Sequence, residues 1–388
     1  MRAYERTHPW IAFQLDLRRI PYDLWLLLGE AQSKIEHIAG VPLQPDVARE
    51  LHALYLAKGA LATTAIEGNT LSEREVLDLL EGRLELPPSK EYLAREVENI
   101  VRACQQIADE LARGPLPPLT SDVVMQFNSA VLAGLPEAEG VEPGRLRRSS
   151  VGVARYRGAP WEDCEFLLAR LCEWIEGPEF APPRPHLASA WAILRAVVAH
   201  LYLAWIHPFG DGNGRTARLV EFRILAAAGF PTPAIHLLSN HYNQTRAEYY
   251  RQLDYASTSG GDIVPFVQYA VRGFVDGLRQ QVQRIRGQVW TIVWRDYVNE
   301  HFEGRSSESD VRRRRLVLAL SRPAPVPLAD IPRLTPDLAA AYARKTSKTL
   351  VRDLNAVVDM KLVERAGAGY RATMETILAF LPLRRAQA

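Results

Sequence analysis

The chain has 388 residues and only three cysteines, Cys104, Cys164 and Cys172, which are scattered and form no CxxC pair. That excludes a disulfide framework and a structural zinc site of ordinary spacing, and predicts three buried thiols. No apolar run approaches the roughly 18 residues of a membrane span. Met1-Arg2-Ala3-Tyr4-Glu5-Arg6 lacks the apolar core of a signal peptide, so the cytoplasm is the expected compartment and no membrane partner is expected. A composition of 47% hydrophobic and 24% charged residues excludes a disordered or collagen-like chain and predicts two or three domains. The glycines at 210, 212 and 214 lack the Lys-Ser/Thr of a Walker A loop and do not fit a dinucleotide fingerprint following a strand.

What is present is concentrated in His207-Pro208-Phe209-Gly210-Asp211-Gly212-Asn213-Gly214-Arg215-Thr216-Ala217-Arg218. Trp191, Leu194, Val198, Leu201 and Trp205 recur at helical spacing, so a buried helix runs up to His207 and is stopped by Pro208. Leu219, Phe222 and Leu225 resume the period until Gly229 and Pro231, which predicts a second helix starting near Asn213 or Gly214. Its first N–H groups lack internal partners and its dipole favours anions, while Gly212 and Gly214 let a ligand approach the backbone. A phosphate chain fits that place. His207 is a candidate general base near neutral pH, and Asp211 a hard oxygen ligand for Mg²⁺. Arg215 and Arg218, three residues apart at a helix start, are candidate phosphate clamps on a shared face.

The twelve residues resemble, without a mismatch, the signature His-Pro-Phe-x-Asp/Glu-Gly-Asn-Gly-Arg-x-x-Arg of Fic (filamentation induced by cAMP) proteins, the Fic/DOC family. Pro143-Gly144 and the run from Val151 to Pro160 are similar to the family's β-hairpin flap, and Arg246 through Tyr250 to its nucleotide-side helix. The resemblance covers roughly the first three quarters of the chain. It implies transfer of AMP from ATP, with Mg²⁺, onto a Ser, Thr or Tyr hydroxyl of a target protein, with release of pyrophosphate. By the same resemblance His207 is the base and Asp211 the metal ligand. Gly212, Asn213 and Gly214 cradle the α-phosphate, Arg215 and Arg218 hold the outer phosphates, and Tyr250 lies on the nucleotide. Phosphoryl-type transfer asks a protein mainly for positioning and charge stabilisation, which these residue types supply.

A second segment, Thr63-Thr64-Ala65-Ile66-Glu67-Gly68-Asn69, ends a helix marked by Leu51, Leu54, Lys58, Leu61 and Ala62; Ser72 with Glu75 forms a capping box for the next one. Glu67 then sits on a helix's last turn, where the dipole disfavours a carboxylate, so a cation is expected to hold it. The segment resembles the family's inhibitory motif, in the subclass that carries it ahead of the catalytic domain, and the resemblance pairs Glu67 with Arg218. It also implies a second role for Glu67, orienting water to remove AMP from a modified target.

Charge is uneven along the chain. From Arg305 onward there are 16 Lys and Arg against 8 Asp and Glu, net +8, which leaves −6 for the first 304 residues. The pattern there predicts a winged helix-turn-helix: a helix at Leu316 to Leu320, a Pro-punctuated connection from Pro323 to Pro336, and a helix from about Ser347 to Met360. On that last helix Lys348, Arg352 and Asn355 face away from Leu350, Leu354 and Val357 as candidate DNA contacts, and a two-stranded wing follows.

The expected architecture is therefore mainly α. It comprises an N-terminal helical region (1–115) with the inhibitory motif, a Fic-type core (116–262) with a small hairpin flap, a helical connector (263–304), and the winged module (305–388). A self-inhibited protein adenylyltransferase is the leading reading. The reverse hydrolysis or transfer of another phosphate-linked group stands beside it within catalysis, and a nucleotide-sensing DNA-binding transcriptional regulator outside it. A homodimer is left open as a further partner.

Overall fold

A run of residues apolar on every side must be buried on every side, and helix Ala188–Ile206 is that run: Trp191, Leu194, Val198, Leu201 and Trp205 are all buried, as are the residues between them at 196 and 197. In the computed structural model, which describes residues 1–41, 45–136, 139–153 and 156–378, this helix forms the centre of the first of two units, Met1–Gln283 and Arg284–Ala388. The segment Pro185–Ile206 has a mean hydropathy of 1.6 and is long and apolar enough to cross a membrane, contrary to the expectation that no run reaches that length. Arg195 and His200 break the run when it is read linearly, yet 72% of the window is buried inside this unit.

Against it packs helix Asn213–Ala227, which is equally enclosed even though Arg215, Arg218, Glu221 and Arg223 lie on it. Buried charges need partners, and each of the four finds one, Arg223 on the carbonyl of Pro117 and Glu221 on the hydroxyl of Tyr242. Helices Pro45–Ala65, Glu91–Arg113 and Ser121–Leu132 close around this pair. The region up to residue 115 is thus part of the same body as the core rather than a separate layer.

Helix Val264–His301 does not form a connector of its own. Phe266, Val271, Phe274 and Leu278 are buried in the first unit, and Trp294, Val298 and Phe302 belong to the core of the second. The flap is a minimal antiparallel pair, Gly152–Val153 with Tyr156–Arg157, in register Gly152 to Arg157 and Val153 to Tyr156; Ala154 and Arg155 at its tip lie outside the described residues.

The second unit runs helix Glu308–Ala319, strand Val326–Pro327, helix Pro336–Tyr342, helix Ser347–Asp359, then strands Val363–Ala366 and Gly369–Ala372. The last strand is central in an antiparallel sheet of three, flanked by the other two. This matches the expected element order with one addition, because helix Pro336–Tyr342 occupies the end of what reads as a proline-broken connection. Thr335 caps it by accepting from the Leu338 N–H (3.2 Å), and Pro336 sits in its first turn, where a missing N–H costs nothing. Residues 379–388 of the module lie outside the described residues.

Candidate active site

The helix ending at Ile206 hands over to His207, whose backbone is left-handed (φ 49°, ψ 59°). That conformation costs a non-glycine residue about 1–2 kcal/mol, and three contacts hold it. The His207 N–H donates to the Leu203 carbonyl (2.9 Å), Arg147 Nε donates to the His207 carbonyl (2.7 Å), and the Arg147 N–H donates to the Pro208 carbonyl (3.0 Å). Arg147 is buried and also donates to the carbonyls of Ser149 and Ala159, so one guanidinium fastens the base of the flap to the loop that carries His207.

The loop 208–212 is closed from inside. Asn213 Nδ2 donates to the Phe209 carbonyl (2.8 Å) while its Oδ1 accepts from the Phe209 N–H (3.0 Å). Buried Asn128 donates to the Asp211 carbonyl (2.9 Å) and accepts from the Gly144 N–H (3.0 Å), tying helix Ser121–Leu132 to both loops. Gly212 is left-handed (φ 74°), and Asn128 and Leu132 stand where a Cβ would project. The turn thereby aims the first N–H groups of helix Asn213–Ala227 at open space beside His207.

That space is a cavity of about 550 Å³. Its wall includes Ile66, Glu67, Tyr156, His207, Asn213, Gly214, Tyr249 and Tyr250. Tyr249 is buried, bonded through its hydroxyl to His200 Nε2 (2.8 Å) and stacked on Tyr242, whereas Tyr250 is 37% exposed and faces the cavity. His207 is pushed down to about 4, chiefly by burial, with the Arg147 charge adding to that while the Ala204 carbonyl and the Glu67 and Asp211 charges oppose it. At neutral pH the imidazole is uncharged and able to accept a proton.

The two signature arginines go to different carboxylates. Arg215 donates through Nη1 to Glu96 (3.1 Å) and through Nη2 to both oxygens of Asp211 (3.2 Å). Glu96 in turn accepts from Asn69 Nδ2 (2.9 Å). Arg218, 2% exposed, sits behind Glu67 and donates through Nη2 to Glu67 Oε1 (2.5 Å) and to the Thr63 carbonyl (2.9 Å). Its Nε and Nη1 are buried with no partner among the described residues. Glu67 lies just past the end of helix Pro45–Ala65, in a turn closed by the Gly68 N–H on the Ala65 carbonyl. Burial works to raise its carboxyl, but the charge and hydrogen bond of Arg218, helped by Arg215 and His207, override this and hold it below the usual range. Gly214 makes the seat possible, because a Cβ there would overlap Glu67 Oε1.

Sequence reasoning thus finds the signature residues and Glu67, and the structure gathers them around one cavity. It misses Arg147, Asn128 and Glu96, which hold the signature in place. Asp211 is the metal-type carboxylate; its side chain is 57% exposed, and no cluster of three or more His, Cys, Asp or Glu suited to a metal occurs among the described residues. All three cysteines are buried and free, as their spacing suggests.

Residues 118–225 match the sequence pattern of the Fic/DOC family. The chain is 32% identical over 224 residues to protein adenylyltransferase fic-1 of Caenorhabditis elegans, covering 58% of this chain and 40% of that protein. It is 31% identical over 212 residues to protein adenylyltransferase Fic of Nematostella vectensis, covering 54% and 45%. The chain therefore spans less than half the length of these relatives. Among solved structures, a Fic family protein from Desulfovibrio desulfuricans superposes with a TM-score of 0.55 at 21% identity, over 91% of this chain and 97% of that one. Fic-1 from C. elegans does so with 0.53 at 27%, over 68% and 72%. With the signature loop, the hairpin and the enclosed helix pair in place, residues 118–225 are a Fic/DOC family domain.

Proposed function

We propose that the chain is a protein adenylyltransferase that moves AMP from ATP to a hydroxyl of a target protein and is restrained by its own Glu67. The observation that carries the reading is the state of Arg218: a buried guanidinium held by one carboxylate, with two further N–H sites unfilled, behind a cavity that also presents a neutral His207. Buried donors without partners cost about 1–3 kcal/mol each, and phosphate oxygens of a bound nucleotide would satisfy them. The acceptor hydroxyl gives its proton to His207 as its oxygen bonds the α-phosphorus, and the bond from that phosphorus to pyrophosphate breaks. The first N–H groups of helix Asn213–Ala227 face the growing negative charge.

Mg²⁺ ordinarily takes one or two protein carboxylates plus substrate phosphates. Asp211 fits as that single ligand, being exposed, oxygen-bearing and at the same helix start. The ion, when bound, supplies charge neutralisation for the phosphates.

Glu67 opposes this chemistry in two ways, by occupying the Arg218 Nη2 donor and by filling the room above Gly214. A displacement near 1 Å of the reacting phosphate costs roughly 100-fold in rate. The test is incorporation of label from α-phosphate-labelled ATP into the protein itself. Glu67→Gly should raise it by about 100-fold, and adding His207→Ala should remove ~10²–10⁴ of the gained rate. Equal labelling of wild type and Glu67→Gly, or full activity without His207, would defeat the proposal.

A further inference from the structure

The second unit carries a surface that the transfer reaction does not use. Helix Ser347–Asp359 buries Leu350, Asp353, Leu354 and Val357 and turns Lys348, Arg352 and Asn355 outward at positions i, i+4 and i+7, which share one helical face. Arg344, in the short turn joining it to helix Pro336–Tyr342, is also exposed. No ion pair or hydrogen bond joins Arg344, Lys348 or Arg352 to another described residue. Neighbouring cations are spent within the unit: Arg312 and Arg313 on Asp353, Lys345 on Glu308, and Arg371 on Glu364 and Glu375.

We infer that this helix-turn-helix binds duplex DNA, with helix Ser347–Asp359 in the major groove, Arg344 and Lys348 on phosphates, and Arg352 and Asn355 at base edges. Three observations converge on a polyanionic, groove-bearing occupant. The chain from Arg305 is net +8, against −6 for the rest. The free cations sit at the start of the outward helix, the end that helix-turn-helix proteins insert among base edges. The hairpin Val363–Ala366 with Gly369–Ala372 follows directly and keeps Arg365 exposed near its tip, as a wing beside the groove requires. B-form DNA admits an α-helix in its major groove, whereas the deep, narrow groove of A-form RNA does not. Arg and Asn suit guanine and adenine edges respectively.

The experiment uses the full chain and a labelled DNA duplex of mixed sequence, followed by fluorescence anisotropy over a range of salt without nucleotide, so its outcome is independent of AMP transfer. Wild type should bind with micromolar or tighter affinity, falling steeply with salt. Neutralising R344Q, K348Q and R352Q together should lower the slope of log K against log salt by about 2 to 3, close to one unit per lost phosphate contact. These side chains are exposed and unpaired, so the variant's melting temperature should stay unchanged. K348R should retain the wild-type slope, and an RNA duplex of the same sequence should compete poorly. Absence of DNA binding at low ionic strength, an unaltered slope in the triple variant, or equal competition by RNA would each overturn the inference.

Discussion

The chain contains two buried arginine–carboxylate centres, one in each unit, and they are built to different ends. Asp353 is fully buried and saturated. It accepts from Arg312 Nε (2.7 Å), Arg313 Nε (3.0 Å) and the Tyr342 hydroxyl (3.1 Å), which locks helix Glu308–Ala319 and helix Pro336–Tyr342 onto helix Ser347–Asp359. Glu67 is held by one arginine through one oxygen, its side chain is 32% exposed, and that arginine keeps two donors empty. A carboxylate with every lone-pair direction used belongs to the architecture. An arginine with donors to spare belongs to a site awaiting an anion.

This contrast is open to direct challenge. The largest effect is expected from Asp353→Ala, which strands two guanidiniums and should cost about 3–5 kcal/mol in urea unfolding; a loss below about 1 kcal/mol would mean the saturated centre is dispensable. Glu67→Gly should cost less in the absence of ligand, and should enlarge the rise in melting temperature produced by magnesium and ATP, since each tenfold gain in nucleotide affinity adds about 1.4 kcal/mol of stabilisation at saturating ligand. An identical rise in wild type and variant would place Glu67 outside the nucleotide's reach.

The smallest effect concerns pH. Neutral imidazole is the competent form, and burial lowers His207 to about 4, so the labelling rate of Glu67→Gly should be flat between pH 6 and 8 and fall only toward pH 4. The same shift means that the fold favours the neutral ring: its stabilising contribution is whole above the unfolded value near 6.5 and is lost as pH falls toward 4. An acid limb centred near 6.5 would show that the ring is not enclosed as described.

Local chemistry made the active site readable in advance. Pro208 after an apolar helix, glycines at the next helix start and a His-Asp-Arg-Arg spacing each have short-range physical meaning, and the helices end and begin where those residues say. The supports were not readable, because they act at long range. Arg145, Arg147 and Arg148 look alike in sequence, and only folding turns the middle one inward onto the carbonyls of 159 and 207. Asn128 and Glu96 likewise reach the signature from helices distant in the chain. In the second unit, Pro336 reads as a breaker until Thr335 is seen to cap the turn it opens. Helix Val264–His301 looks like a linker because its two apolar stretches serve different cores.

Asn69 lies two residues beyond Glu67 and grips Glu96, the carboxylate that steadies Arg215. Both signature guanidiniums are therefore tethered to one short stretch of backbone, 67 through 69, by separate side chains. Whatever draws that stretch outward slackens both tethers in a single movement, so the nucleotide's two cationic contacts are freed together rather than one after the other.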